Sequence, residues 1–377
     1  MAAVRPQKSL GTCVSRLFSL LEENMENIIY TTPEEQIQKL KSQNLIINDE
    51  KNAAAALYAY GYSNLIKSYR EPYIIRSEKA TLYRSGVTFE QIYSLYMLDK
   101  NLRNAVIAAM LDLEEHIKEQ ASDVVADSFG IHPDEYLNYR NYRNKRKRKK
   151  QFTLSSILTT MRKALDTDKD PIHHYNTVHG IVPPWILFKS IYFSTIINYI
   201  DQFKEKEQIQ MAHKLYNISS YSIDELQAVK LMMDTLYLAS DYRNLAAHGG
   251  RIYNYGSKNR LRTDGIINDS SQLSKAGFNQ LLLALELLNY GTPAKHIRSI
   301  LNEQINRHCN LYPQDVTYLG QILNIDIVQK RVVFMSDHSD KFHRTPHCSG
   351  IKNAQEVDYD EAISKGYIPC KRCIKDK

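Results

Sequence analysis

Residues 240–254 of the chain read SDYRNLAAHGGRIYN. Arg243, Asn244 and His248 stand at the end of an apolar-periodic stretch that Gly249 and Gly250 stop. Each residue of a helix turns by about 100°, so Asn244 and His248 share one face, and the long side chain of Arg243 can fold toward it. The glycine pair suits a left-handed stop that leaves His248 in the last turn. This trio fits phosphodiester chemistry. An imidazole titrating near neutrality can move a proton to or from a ribose 2′-hydroxyl. A guanidinium offsets the extra charge of a pentacoordinate phosphate. Asn244 would orient either the imidazole or the phosphate, and RNA would supply the nucleophile, so this chemistry requires no metal. A plainer reading competes, because cations favour helix C-termini for dipole reasons alone.

A second set lies near the other end, in DKFHRTPHCSGIKNAQEVDYDEAISKGYIPCKRC. It sets His343 and Cys348 ahead of the Cys370-x-x-Cys373 knuckle. Zinc takes four N or S donors in a tetrahedron, and this pair-plus-pair order supplies them. The set is closed, so a structural zinc is expected, with His347 an alternative fourth ligand. Three of the five cysteines fall within residues 348–373, which favours a metal site in a reducing compartment over a disulfide framework. Surface cysteines without metal would leave so short a segment with too little core.

Between these sets, YLNYRNYRNKRKRKKQF interleaves tyrosines with Arg140 and Arg143. It continues into Lys145, Arg146, Lys147, Arg148, Lys149 and Lys150. Such cations neutralise phosphates additively, and the affinity they give is salt-sensitive. Tyr136, Tyr139 and Tyr142, at three-residue spacing, could stack on unpaired bases. RNA is therefore the expected partner. The competing reading is a solvated loop of like charge.

The elements that must carry these residues are mostly helical. TTPEEQIQKL has Thr32 as N-cap, Pro33 at the first helical position and Glu35 completing a capping box. EKNAAAALYAYGYSNLIKSY continues helically and breaks near Gly61. Over the roughly forty residues from Thr88 to Gly130, apolar residues including Leu95, Leu102, Val106, Met110, Leu113 and Ile117 recur at three or four spacing, as a core-facing helix requires. VPPWILFKSIYFSTIINYIDQF reads as one buried helix, and Ser222 with Glu225 reads as the capping box of the helix that ends at Gly249. Two further helices run through GFNQLLLALELLNY and PAKHIRSILNEQINRH. Strand signals are scarce before residues 324–336, where β-branched content rises; Phe334 on a short strand and a helix around Ala362 would cover the metal. The expected architecture is an all-α helical bundle body with a small C-terminal α+β zinc-binding module. Its parts are an N-terminal tail (1–30), a helical domain (31–315, with the basic loop at 140–151) and the module (316–377).

The net charge of +7 permits a polyanionic partner without demanding one. No apolar run is long enough for a signal peptide or a membrane span, so a cytoplasmic protein with no membrane partner is expected.

The chain resembles the Abi family of bacterial abortive-infection proteins, a branch of the HEPN superfamily. Five segments carry the likeness in matching order: EEQIQKLKSQNLIIND, YGYSNLIKSYREPY, TFEQIYSLYMLDKNLRNAVI, PPWILFKSIYFSTI and YRNLAAHGGRIYN. The last matches an Arg-Asn-x-x-x-His motif followed by an aromatic–Asn pair, here Tyr253 and Asn254. The resemblance implies a metal-independent endoribonuclease acting in phage defence, with Arg243, Asn244 and His248 of two copies meeting in one cleft of a homodimer. It equally allows a noncatalytic protein that binds a small noncoding RNA. Family members often carry Glu-x-x-x-Arg in the long helix; here Lys118 follows Glu114, and lysine lacks the bidentate fork. Lys189 stands where a carboxylate is expected. The C-terminal segment is similar to the zinc-binding module of the Ada DNA-repair protein, with a histidine replacing the first of four thiolates.

Overall fold

Helix α1 (Pro33–Ser42) opens with the expected box: the Glu35 N–H donates to Thr32 Oγ1 at 3.3 Å, and the Thr32 N–H donates to the Glu35 carboxylate at 2.8 Å. The computed structural model describes residues 30–76, 81–221, 223–262, 277–327, 332–336, 339–348, 351 and 353–374. Nearly all of the tail (1–29) and Ser222 lie outside them. Two compact units divide between Ile92 and Tyr93.

In the first unit, α1 packs on α2 (Glu50–Tyr60), which stops at Gly61 as its periodicity predicts. Ile37, Leu40, Ala53 and Leu57 form the shared core. The unit also holds an unanticipated antiparallel ribbon, β1 (Ile74–Arg76) against β2 (Thr81–Tyr83), with Ile74 opposite Tyr83. Three-residue strands are too short to show an alternating pattern.

Helix α3 (Phe89–Phe129) runs 41 residues, and from Tyr93 onward it belongs to the second unit. Leu95, Leu102, Val106, Met110, Leu113 and Ile117 are all fully buried, so the predicted stripe is the packed one. Helix α4 (Leu154–Leu165) packs beside the segment beginning at Pro184, where the single expected helix divides. A turn of helix at Pro184–Leu187 and a tight turn at Phe188–Ser190 precede α5 (Phe193–Ile200). Ile191 and Phe193 are both buried while Tyr192 between them is 80% exposed. That alternation needs extended backbone, which Ile191 adopts (φ −97°, ψ 134°).

Helices α6 (Glu205–Leu215), α7 (Glu225–Ala247), α8 (Phe278–Glu286) and α9 (Thr292–Leu311) complete the helical packing. The cap of α7 is Asp224, whose carboxylate accepts from the Gln227 N–H at 2.7 Å while Gln227 reciprocates. A further helix, α10 (Val316–Leu323), precedes the strands. Beyond it, β3 (Val332–Met335) pairs antiparallel with β5 (Gln355–Asp358), and β4 (Lys341–Phe342) pairs parallel with β6 (Ile368–Pro369). Helix α11 (Tyr359–Ser364) closes this small α+β module over Val333, Met335, Phe342 and Ala362. Among the described residues no helix is long and apolar enough to cross a membrane.

Candidate functional site

Helix α7 ends as its glycines require. The Gly250 N–H reaches the Leu245 carbonyl (2.8 Å) and the Gly249 N–H the Ala246 carbonyl (3.2 Å), the paired bonds of a Schellman stop with His248 as C-cap. Gly249 sits at φ +73°, in the left-handed region. A Cβ on Gly250 would approach Leu245 Cδ1 to 2.2 Å and the Leu245 carbonyl to 3.1 Å. His248 and Asn244 are exposed on this last turn. Arg243 is half-buried, and its Nε is buried without a hydrogen-bond acceptor.

The backbone leaving the turn is tied to α3. Asp99, fully buried, accepts from the N–H groups of Ile252 (2.9 Å) and Tyr253 (2.8 Å). One turn along, Arg103 Nη1 donates to the carbonyls of Gly249 (2.9 Å) and Gly250 (3.4 Å). The guanidinium thus answers the negative end of α7 while Asp99 answers the free N–H groups beyond it. Further on, the Asp241 carboxylate holds Ser257 (2.6 Å) and Asn259 (2.8 Å). Tyr253 is buried, with its hydroxyl 3.3 Å from that of Tyr318, and burial raises its pKa far above the ordinary phenol value. Asn254 is half-buried.

Asp99 and Arg103 escaped the sequence reading, which looked to Glu114 and Lys118. Those two pair with each other at 2.7 Å, mostly buried. The missed signal was the same acidic-x-x-x-basic spacing about four helical turns earlier. Asp99 lies on the stripe of Leu95, Leu102 and Val106, and a carboxylate on a buried stripe must have donors to meet it. Lys189 is exposed on the tight turn after Pro184–Leu187.

The basic run is an ordered strap. Arg143 N–H donates to the Gln202 carbonyl (2.9 Å), and the Gln202 side chain bonds the Lys145 backbone in both directions (2.6 and 3.1 Å). Asp201, with its carboxylate nearly buried, receives Lys145 Nζ at 2.9 Å and also Lys147 Nζ, which donates in turn to the Tyr237 hydroxyl at 3.0 Å. Arg143 Nη2 reaches the Asp201 carbonyl at 3.2 Å. Arg140, Arg146, Arg148, Lys149 and Lys150 stay exposed, as does Tyr139 at 44%. Tyr142 does not: at 5% exposure it packs among Phe129, Tyr199 and Phe203 and bonds the Tyr199 hydroxyl. Tyr136 is fully buried with its hydroxyl on the Val182 carbonyl (2.8 Å). Neither ring is open to a base, because both serve the core.

In the C-terminal module, His343, Cys348, Cys370 and Cys373 place one donor atom each within 4.8 Å of one another. His343 is fixed by its backbone, which exchanges bonds with Phe334 at 2.7 and 2.8 Å. Its Nδ1 lies 3.7 Å from Cys373 Sγ. Donors at about 2.0–2.3 Å from a tetrahedral ion are separated by roughly 3.5–3.8 Å, so the set fits a metal ion. The Arg344 N–H points at Cys373 Sγ (3.4 Å), and the Arg372 N–H is the foremost cause that holds the Cys370 thiol below its ordinary pKa. His347 is exposed and stands outside the group.

Comparison with curated proteins and with solved structures gives no match. A family model described as Abi-like protein matches residues 55–254 of the 377, a span that takes in Asp99, Arg103, the strap and the whole helix end through Asn254. The chain belongs to the Abi-like protein family.

Proposed function

We propose that the chain is a phage-defence effector that cuts RNA without a metal at the cutting site, with Arg243, Asn244 and His248 as its catalytic set. Membership of the Abi-like family suggests abortive infection, and the HEPN type of nuclease is the reading given to it here. His248 takes the proton of a ribose 2′-hydroxyl. The freed oxygen attacks the adjacent phosphorus, the bond to the 5′-oxygen breaks, and that oxygen leaves with a proton returned by an imidazolium. The products are a 2′,3′-cyclic phosphate and a 5′-hydroxyl. Arg243 offsets charge on the pentacoordinate phosphorus, and the second histidine and arginine come from another copy in a homodimer.

The observation carrying this reading is an exposed imidazole on a helix end braced by Asp99 and Arg103, with the half-buried Arg243 one turn before it and its Nε meeting no acceptor among the described residues. The test is incubation of the purified chain with end-labelled RNA. Cyclic-phosphate fragments are expected from the native chain and none from His248→Ala or Arg243→Ala. Undiminished cleavage by both variants removes the proposal.

A noncatalytic RNA-binding protein is the second reading, favoured by the exposed cations of the strap. Under either reading RNA, including a small noncoding RNA, is the partner, and the cytoplasm is its place. The four-donor pocket is proposed to hold a structural zinc in an Ada-like module. Zinc there would supply folding energy to a segment with little core, with His343, Cys348, Cys370 and Cys373 as its ligands.

A further inference from the structure

A cavity of about 450 Å³ opens between α9 and the C-terminal module, within the range of about 300–1,000 Å³ usual for small-molecule sites. Among the described residues, one wall is the face of α9 that carries Asn306 and Arg307, and the other is strand β3 with Phe334. The floor is the loop of Arg344 and Pro346. That loop is held at both ends by the metal-pocket residues His343 and Cys348. Arg344 Nη2 also reaches across the cavity base to the Asn310 carbonyl at 3.1 Å. The floor is therefore preorganised from both sides.

The lining combines three chemistries. Phe334 and Pro346 give an apolar lining, and the Asn306 side chain can both donate and accept in one plane. Arg344 is exposed and has no ion-pair partner among the described residues. Arg307 meets Glu303 at 3.2 Å on the exposed face of α9, a pair worth little in solvent. Glu303 and Glu356 also line the cavity, so its cations are nearly balanced by carboxylates. That balance disfavours a polyphosphate, and the polar wall disfavours a purely apolar ligand. A planar heteroaromatic ring with hydrogen-bonding edges and one phosphate satisfies all three.

We infer that this cavity binds a single nucleotide unit, with its base against Phe334, Pro346 and Asn306, and its phosphate on Arg344. The inference goes beyond the nuclease reading and does not rest on it. Two sources share the chemistry: a free 5′-mononucleotide, or one unpaired nucleotide of an RNA chain.

Calorimetric titration of the full metal-loaded chain separates them. The probes are the four 5′-mononucleotides, ribose 5-phosphate and a short single-stranded RNA. Saturable binding of at least one mononucleotide is expected, with ribose 5-phosphate weaker by about tenfold or more for lack of a base to stack. A response to the oligonucleotide alone assigns the cavity to RNA where Arg344→Ala weakens it; a response that Arg344→Ala leaves intact belongs to the strap and overturns the inference. Arg344→Ala should weaken binding about tenfold, as expected when a charge-assisted bond to phosphate is removed, with the thermal midpoint confirming the fold. Asn306→Ala, on the opposite and half-exposed wall, should weaken the preferred base selectively. Absence of saturable binding to every probe overturns the inference, as does undiminished binding by both variants. Loss of binding through His248→Ala instead would place the nucleotide at the helix end and also overturn it. Absent cleavage with intact mononucleotide binding sinks the nuclease reading and leaves this one standing.

Discussion

The end of α7 and the cysteine pocket each centre on a histidine, and they hold it in opposite ways. His248 is exposed, and what is fixed is the backbone around it: a Schellman stop, Asp99 on two N–H groups and Arg103 on two carbonyls. His343 is buried, its imidazole turned into a cluster of thiols and its backbone laddered to Phe334. An imidazole free in solvent on a rigid base can exchange protons and meet a substrate. One set among three sulfurs is placed to hold an ion. The two histidines differ in which part of the residue the fold immobilises.

The sharpest way to break the comparison is to take away the zinc proposed for the cysteine pocket. Structural zinc contributes on the order of 10 kcal/mol or more to small domains that depend on it. Cys370→Ser, or chelation, is therefore expected to release one metal per chain and abolish the folding of the module. The helical signal of the body should persist. Metal analysis with circular dichroism checks this, and an unchanged thermal profile after full metal loss would place the pocket among incidental clusters. The next largest effect is on catalysis. His248→Ala should lower cleavage by about 10²–10⁴-fold, the usual worth of a general acid–base group, with almost no change in the thermal midpoint because the exposed side chain adds little to the packing. A large loss of stability would mean that His248 is a structural residue after all.

An intermediate effect tests the brace. Asp99→Ala leaves two buried N–H groups unanswered at about 1–3 kcal/mol each, so a loss of roughly 3 kcal/mol in unfolding free energy is expected. Because Asp99 would act by positioning His248, cleavage should fall in kcat with KM little changed. A matching fall in both parameters, or a stability loss with full kcat, would reduce Asp99 to a core residue.

How much of this was legible beforehand follows from where the information is stored. The Thr32–Glu35 box, the stripe along α3 and the stop at Gly249 are local and periodic, and the structure shows all three as read. The gathering of His343, Cys348, Cys370 and Cys373 was legible because a Cys-x-x-Cys pair preceded by a histidine and a cysteine has few other uses. The division after Ser190 was not, because it turns on which of Ile191, Tyr192 and Phe193 the core admits. Asp99 was hidden for a related reason: its partners lie more than 150 residues away, and only the fold brings them together. Tyr142 misled in the opposite direction. Its spacing with Tyr136 and Tyr139 fitted a stacking ladder, but two of the three rings were recruited into the core beneath the strap.

The strap gives the smallest and most discriminating effect, because its cations divide by what they already touch. Each phosphate that a single-stranded complex no longer neutralises lowers the slope of log affinity against log salt by about 0.7. Arg148→Ala and Lys149→Ala, both removing exposed charges, should each lower the slope by that amount. Lys147→Met should hardly alter it, because its ammonium is committed to Asp201 and the Tyr237 hydroxyl. Its cost should appear instead as lost stability, since Asp201 is almost wholly buried and would keep only the half-exposed Lys145 as a countercharge. Removing one member of a buried pair is the expensive direction, whereas removing an exposed cation is nearly free. Equal salt slopes for Lys147→Met and Lys149→Ala would show that the strap lifts off Asp201 when RNA binds, and that its ordered form is a resting state.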